Sequence, residues 1–555
     1  MMQKNDVVRL KIEEINNLGC GVAHLGAEDG GRGQVVFVRD AVSGDELDAR
    51  IIKVNKSYLV AKIEQILTPS RLRCTPDCTA KGCGGCVYRH VRYEHELELK
   101  REYVRSAFRK AGLSDVTVEQ VRHTDELTGY RNKAQYPVRN GKDGMEVGFF
   151  ATGTHRIVPA DDCKLQPPVF AELTAFVCSF CDRHGIRAYD EESGKGLLRH
   201  IYLRCGTKTG EIMVCLVLNG EKLPSEKELI DTLTKRFPAV VSLYVNVNTE
   251  NTNVVLGERY RLLWGRESIE DELCGLRFRI SPAAFYQVNR NACELLYGIA
   301  KEKAALTGKE TLLDLYCGIG TIGLSMADRA REIAGIEIVE SAVRCATENA
   351  ERNGIGHASF YCGDASDAKK LLAEAEAARG AFDAEHTTVV FDPPRKGSTP
   401  ELIRYIAERH FNRVVYVSCN PDTLARDCVL FRELGYEIGA VTPVDMFPRT
   451  GHVESVCLLS KLNTKQHIEI NLDMDELDLT DAEKKATYQE IKDYVLEHSG
   501  LKVSSLYIAQ VKQACGIIER ENYNKPKFED AKQPQCPPNK EKAIKDALKH
   551  FGMIE

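Results

Sequence analysis

Three things are scarce in this chain, and each scarcity excludes a class of protein. Residues 1–10 carry Lys4, Asp6 and Arg9 and lack the apolar core of a secretory leader. No apolar run is long enough to cross a bilayer. Charge of one sign is lacking too. The formal net charge is −6 over 555 residues, so nothing in the overall balance advertises a polyanionic partner, although a local basic face would suffice. The expectation is a cytoplasmic protein with no membrane contact. What is present is a globular composition, 43% hydrophobic and 28% charged, in a chain long enough for several domains. Twenty cysteines in a reducing compartment do not form a disulfide framework, which leaves metal binding, catalysis and burial.

Residues 6–67 read as a small barrel. Val8, Leu10 and Ile12 alternate with charged residues, as a half-buried strand requires. Glycines 19, 21, 26, 30, 31 and 33 punctuate a turn-rich middle, and 35–38, 48–54 and 57–66 supply further strands. Five short strands suit an OB-like barrel, a common oligonucleotide-binding scaffold.

Residues 74–90 hold Cys74, Cys78, Cys83 and Cys86, with Gly84 and Gly85 allowing two thiolates to converge. Such spacing serves zinc or an iron–sulfur cluster. Cys74 is one possible fourth ligand, and the distant Cys163, in Ala160-Asp161-Asp162-Cys163, is another. A helix over 94–111 follows, with Tyr93, Leu97, Val104 and Phe108 on one side and Gly112 placed to end it. Its other face holds Lys100, Arg101, Arg105, Arg109 and Lys110, a solvated or phosphate-tracking face.

Residues 115–280 predict a second β-rich domain, with strands at 196–204, 211–218 and 240–246. The run 130–139 interleaves Arg131, Lys133 and Arg139 with Tyr130 and Tyr136, which suits phosphate contact plus base stacking.

From about Ser281 the pattern is that of a doubly wound α/β domain. A helix over 291–303 precedes a strand, glycine loop and helix that begin at Thr311. Gly318, Gly320 and Gly323 fit G-x-G-x-x-G, so a dinucleotide fold is one reading. An ordered set of acids favours S-adenosylmethionine instead. Asp314 closes the first strand where it could meet the cofactor's cationic end. Glu337 ends the second, placed to accept both ribose hydroxyls. Asp364 follows the third, near the adenine amine. A fourth strand runs into Asp392-Pro393-Pro394-Arg395, a stiff loop of the kind that shapes a pocket for a flat base. A fifth, 414–417, delivers Ser418-Cys419-Asn420-Pro421, putting a thiol where open α/β sheets bind ligands. His452-Val453-Glu454 comes later.

These motifs, in this order, resemble the RNA uracil-5-methyltransferase family. Asp-Leu-Tyr-Cys-Gly-x-Gly, Asp-Pro-Pro-Arg-x-Gly, Ser-Cys-Asn-Pro and His-x-Glu all stand in the family's sequence. The likeness runs from the barrel, similar to a TRAM domain, to about residue 462, and the cysteines resemble the [4Fe-4S] site of the ribosomal-RNA branch. The resemblance implies a Rossmann-like class I methyltransferase domain behind a TRAM-like barrel and a β-rich central RNA-binding domain, with a small helical extension. It divides the chain at 1–68, 69–90, 91–280, 281–462 and 463–555. It implies Cys419 as nucleophile, Glu454 as general base, and Gln287, Tyr316, Glu337 and Asp392 as S-adenosylmethionine contacts. Cys78, Cys83, Cys86 and Cys163 would hold the cluster. Four residues separate Cys78 from Cys83 where the family has five, so Cys74 competes with Cys78. Because the tRNA branch generally lacks barrel and cluster, a monomeric enzyme acting on 23S rRNA is expected. A tRNA methyltransferase is the alternative, and an iron–sulfur redox protein using a nicotinamide is the rival of another class.

Beyond 462, residues 471–483 are acidic and read as a linker. Helices are expected over 484–496, 505–515 and 540–551, with Lys512 on the second and Pro526, Pro534, Pro537 and Pro538 before the last. The first two resemble a helix-turn-helix in spacing.

Overall fold

The computed structural model describes residues 2–26, 33–363, 368–462, 488–515, 536–551 and 553–554. The chain forms two compact units, Met1–Asn463 and Thr464–Glu555.

The first unit opens with six strands, not five: Val7–Lys11, Glu14–Ile15, Cys20–Leu25, Gln34–Arg39, Glu46–Val54 and Tyr58–Thr68. Their order in the sheet is first, fifth, sixth, fourth, third, second. Val8 and Leu10 point inward and their charged neighbours outward, as the alternation requires. Val36, Val38, Leu47, Ile51 and Leu59 fill the core. The glycine-rich middle hides the Cys20–Leu25 strand. A side chain at Gly21 would meet Ala41 and Ile12 at 2.8 Å, so this glycine serves close packing rather than a turn. Glycines 30 and 31 lie outside the described residues.

The helix Tyr93–Lys110 ends before Gly112, whose φ is +79°. Its charged side differs from expectation. Lys100 is 1% exposed and Glu96 0%, so Lys100 cannot track phosphates. Arg101 donates to the Val118 carbonyl, and Arg105 and Arg109 pair with Glu102.

The central sheet has seven strands, in the order Arg259–Gly265, Val240–Val247, Ile212–Leu218, Leu198–Cys205, Lys133–Asn140, Met145–Phe150, Ile157–Pro159. Helices Pro168–Arg183 and Glu226–Arg236 cover one face, burying Phe170, Leu173, Leu229 and Leu233 against Tyr136, Val138, Leu203 and Val214. This corrects the base-stacking expectation. Tyr136 belongs to that core, and buried Tyr130 donates its hydroxyl to the Pro448 carbonyl at 2.9 Å. The alternate residues of the same strand, Lys133 and Gln135, face the other way.

The third sheet positions the site. Strands Ala358–Cys362, Glu332–Glu337, Thr311–Leu315, Thr387–Phe391 and Arg413–Ser418 run parallel in that spatial order. Glu454–Lys461 then pairs antiparallel with Arg413–Ser418. Successive residues of a strand enter different cores. Leu313, Val389 and Val414 join one with helices Pro400–Glu408 and Pro421–Glu433, while Leu312, Val390 and Val415 join another with Arg290–Ala304. Both faces are therefore covered, which explains the continuously apolar strands. The chain reverses direction across the sheet between Thr311–Leu315 and Thr387–Phe391, and the carboxyl ends there open a crevice.

The second unit packs helices Tyr488–Ser499, Ser505–Ala514 and Pro538–His550 around Ile491, Val495, Ile508, Val511 and Ile544. Ser504 caps the middle helix by accepting the Tyr507 N–H. Lys512 is 4% exposed and so is no surface grip for a phosphate. The acidic stretch 471–483, residues 484–487, Pro526 and Pro534 lie outside the described residues. No described helix is long and apolar enough to cross a membrane.

Candidate active site and cysteine cavity

Two loops at the crevice are tied together by one side chain. Asn420 caps the helix Pro421–Glu433, its Oδ1 accepting the Asp422 N–H at 3.1 Å. Its Nδ2 donates to the Arg395 carbonyl at 3.0 Å. The Ser-Cys-Asn-Pro turn is thereby locked to the Asp-Pro-Pro-Arg loop, with Cys419 between a strand end and a helix start.

The glycine loop is braced on the other side. Asp314 Oδ2 accepts the Gly323 N–H at 2.8 Å, and a side chain at Gly323 would strike that oxygen at 2.7 Å. Glu337 accepts the N–H groups of Gly318 at 3.0 Å and Val339 at 2.9 Å. Tyr316 sits at φ +65°, a left-handed conformation that costs a non-glycine residue about 1–2 kcal/mol. The helix that follows, Thr321–Ser325, has five residues, far shorter than the helix that receives a pyrophosphate in dinucleotide folds.

Gln287, Tyr316, Glu337, Asp392, Cys419 and Glu454 all line one cavity of about 850 Å³. Asp314 is not on its wall. Its role is to hold the glycine loop, and its Oδ1 is buried without a partner among the described residues. Asp364 lies outside the described residues. Phe285, Arg395, Phe447 and His452 are among the wall residues that carried no assigned role in the sequence. Arg131, Lys133 and Gln135 also reach the wall, although the sequence pattern placed them only on a general RNA face.

Three carboxylates, Glu337, Asp392 and Glu454, share the wall with Arg131, Lys133, Arg395 and Lys396. Burial raises the Asp392 carboxyl, and burial together with Asp392 raises Glu454, while Arg395 opposes the second shift. Burial, then Glu454 and Asp392, push the Cys419 thiol up to about 11 against the pull of Arg395. Burial likewise holds Asp314 up at about 7. Burial and then Arg395, Arg131 and Lys100 depress His452, which lies 3.5 Å from Arg395 Nη2. Burial favours the neutral forms of Asp392 and Glu454, and a cationic ligand in the cavity would oppose it.

Cys78, Cys83, Cys86 and Cys163 line a second cavity, of about 630 Å³. Cys74 is not on its wall; its Sγ faces the Arg89 carbonyl at 3.5 Å. Gly84 N–H donates to the Phe150 carbonyl at 3.0 Å, and a side chain at Gly84 would meet that oxygen at 3.0 Å. The thiols feel one another. Burial raises Cys83, with Cys78 adding to it; burial raises Cys163, with Cys83 and Cys78 adding; and burial lifts Cys86 to about 11, with Cys163 and Cys83 adding. Among the described residues no three His, Cys, Asp or Glu side chains stand close enough together to hold a single metal ion.

The comparisons agree with this architecture. Residues 92–462 match the family described as tRNA (Uracil-5-)-methyltransferase, and residues 2–63 match the TRAM domain. An uncharacterized RNA methyltransferase of Clostridium acetobutylicum is 38% identical over 466 residues, covering 83% of this chain and 98% of that protein. One from Halalkalibacterium halodurans is 40% identical over 464 residues, again covering 83% and 98%. The crystal structure of Pyrococcus abyssi tRNA (uracil-54, C5)-methyltransferase in complex with S-adenosyl-L-homocysteine is 28% identical. It superposes with a TM-score of 0.64 over 81% of this chain and 100% of that one. These findings leave the nicotinamide redox alternative without support. The chain belongs to the tRNA (Uracil-5-)-methyltransferase family and is an S-adenosylmethionine-dependent RNA methyltransferase of the uracil-C5 type.

Proposed function

We propose that this enzyme forms 5-methyluridine at a specific uridine of 23S rRNA through a covalent Cys419 adduct. The observation that carries the reading is the meeting of Cys419, Glu454 and Asp392 with Gln287, Tyr316 and Glu337 on one wall. Carbon 5 of uracil is too weak a nucleophile to accept a methyl group unaided. Cys419 thiolate adds to carbon 6, and the ring becomes an enolate with charge at carbon 5. Bound S-adenosylmethionine supplies an electrophilic methyl group. Glu454 then takes the proton from carbon 5, the carbon–sulfur bond breaks, and the thiolate is regenerated. Gln287, Tyr316, Glu337 and Asp392 hold the cofactor, whose positive charge complements the carboxylates among them. That cation, with Arg395, lowers the Cys419 and Glu454 pKa values toward the forms the reaction needs. The uridine reaches the thiol only when it is unpaired or flipped from its stack.

Cys78, Cys83, Cys86 and Cys163 hold a [4Fe-4S] cluster in this reading. A four-iron cluster spaces its thiolates more widely than a single ion does, which suits four thiols spread around one cavity. The cluster acts as a staple between segment 78–86 and the loop at 163, and a monomer in the reducing cytoplasm keeps its ligands available. Barrel and cysteines together favour 23S rRNA. One observation favours tRNA instead: the Pyrococcus abyssi enzyme covers a larger share of this chain than residues 92–462 make up. Transfer of labelled methyl to unmodified 23S rRNA and unmodified tRNA, with nucleoside analysis, decides. Label as 5-methyluridine in 23S rRNA is expected. Label in tRNA alone keeps the chemistry and overturns the substrate, and label in neither overturns both.

A further inference from the structure

The strand Lys133–Asn140 carries more than the catalytic wall. Lys133 and Gln135 border both the catalytic and the cysteine cavities. Two residues on, Pro137 and then Arg139 border a third cavity, of about 500 Å³. Alternate residues of a strand share a face; the intervening Tyr136 packs in the opposite core, while Ala134 and Val138 belong to that core and also touch the cysteine and third cavities. The pairing with Leu198–Cys205 is unbroken from Lys133↔Arg204 to Pro137↔His200, so nothing turns the face away. Gln135 and Pro137 are therefore ~7 Å apart along one face. That is about the separation of neighbouring nucleotides in an extended strand.

The third cavity is built for a flat polar ligand. Phe150 and His155 form a stacked pair on its wall, 5.2 Å between centroids and 26° between planes. Opposite chemistry comes from Tyr189, over which the Arg199 guanidinium sits at 4.5 Å. Arg199 is itself immobilised by the carbonyls of Asn248 at 2.8 Å and Glu250 at 2.7 Å. His200 Nδ1 is buried with no hydrogen-bond partner among the described residues. Arg156 adds an exposed cation, and Glu191 an acceptor bonded to His155 at 2.8 Å. The Phe150 backbone is held from behind by Gly84 of the cysteine segment.

We propose that this cavity is a subsite for a second unpaired nucleoside of the RNA substrate, adjacent along the strand to the uridine in the catalytic cavity. The proposal rests on the reading that the uridine enters beside Cys419. Aromatic rings supply stacking, Arg156 meets the phosphate, and the carboxylate and imidazole meet base or ribose edges. The cysteine segment gains a role in this arrangement, since it sets the position of the Phe150 wall.

The test is a coupling experiment on the full-length, cluster-loaded protein. Equilibrium affinity is measured for the RNA that accepts methyl, or for the tighter-binding of the 23S fragment and tRNA if neither does. The protein is parent, F150A/H155A or Phe150→Tyr, and the RNA is intact or abasic at each position flanking the target. The double variant is expected to lose roughly tenfold in affinity for intact RNA, the worth of one stacked base. Phe150→Tyr keeps parental affinity. One abasic RNA costs the parent a similar factor and costs the double variant almost nothing further. Unchanged affinity in the double variant overturns the subsite, as do losses that multiply for every abasic position. Loss of binding to adenosine or cytidine monophosphate, with RNA affinity intact, also overturns it in favour of a small-molecule site. Since the readout is affinity, a parent that binds RNA but makes no 5-methyluridine sinks the function without touching this result.

Discussion

Lys100 Nζ donates to Asp445 Oδ1 at 2.7 Å although the two residues are 345 positions apart. The same ammonium meets Glu96 Oε1 at 2.8 Å and the Phe447 carbonyl at 3.1 Å. Glu96 in turn accepts the Arg449 N–H at 2.6 Å, and the Arg449 carbonyl accepts from Val87 and Tyr88. Arg449 stands at φ +72°, a strained position held by these bonds. The network thus joins the helix after the cysteines, the cysteine segment and the loop leading to Glu454. Replacing Lys100 by Met leaves buried Asp445 without its cation and Glu96 with only Arg449 Nη1 at 3.4 Å. The expected loss is about 3–5 kcal/mol, read from the chemical denaturation midpoint. A loss below about 1 kcal/mol would show that water reaches the site.

Cys419→Ala should abolish methyl transfer and covalent RNA capture while binding S-adenosylhomocysteine with parental affinity. Isothermal titration and a denaturing gel of labelled RNA check the two halves. Methylation at the parental rate would remove Cys419 from the mechanism.

Glu454→Gln should trap the methylated adduct, since addition and methyl transfer precede proton removal. A band resistant to denaturant, carrying both RNA and labelled methyl, is expected. If Cys419 is intact and no band accumulates, the base is another group.

The buried carboxyls make the enzyme pH-sensitive. Asp314 is held at about 7 by burial, whereas an unfolded aspartate titrates near ~3.9. A carboxyl raised in the fold stabilises it in the neutral form. That contribution is complete below about pH 4 and is lost as pH rises through about 7. Asp392 and Glu454 shift in the same direction. The ligand-free protein should therefore melt at progressively lower temperature from about pH 4 to about pH 8, and S-adenosylmethionine should reduce the drop. Its affinity should rise over the same range, with proton release seen by calorimetry in buffers of different ionisation enthalpy. Affinity that falls with pH would contradict a role for these carboxyls in holding the cation.

The ligand ambiguity at the cysteines has a direct check. Cys78→Ser should lose iron and the visible absorbance of a cluster, whereas Cys74→Ser should retain both, because Cys74 is not on the cavity wall and its Sγ faces the Arg89 carbonyl. The opposite pattern would make Cys74 the ligand.

Much was legible along the chain because it is written in local periods and short motifs. Apolar runs at 311–315 and 413–418 announce strands covered on both faces, and Asn420-Pro421 announces a helix start. Cys419, Asp392 and Glu454 stand in motifs whose order alone points to one chemistry, and the strand ends that carry them form one wall. The Cys20–Leu25 strand was hidden because glycine reads as a turn, and the reason for Gly21 is a neighbour that only folding supplies.

What the sequence could not say concerns which face a residue shows and what it meets across long separations. Tyr136 and Gln135 are neighbours in one basic and aromatic run, yet one is core and the other cavity wall. The pleat separates them, and the sheet's second layer decides which side is dry. Lys100 reads as one cation in a charged helix face and proves buried, because Asp445 reaches it from an element that no local pattern connects, beside Glu96 one helical turn earlier. Sequence alone determined most of the element types, their order and the candidate reacting groups. Tertiary structure decided burial, and burial sets the charge state of those groups, because desolvation depends on everything packed around them.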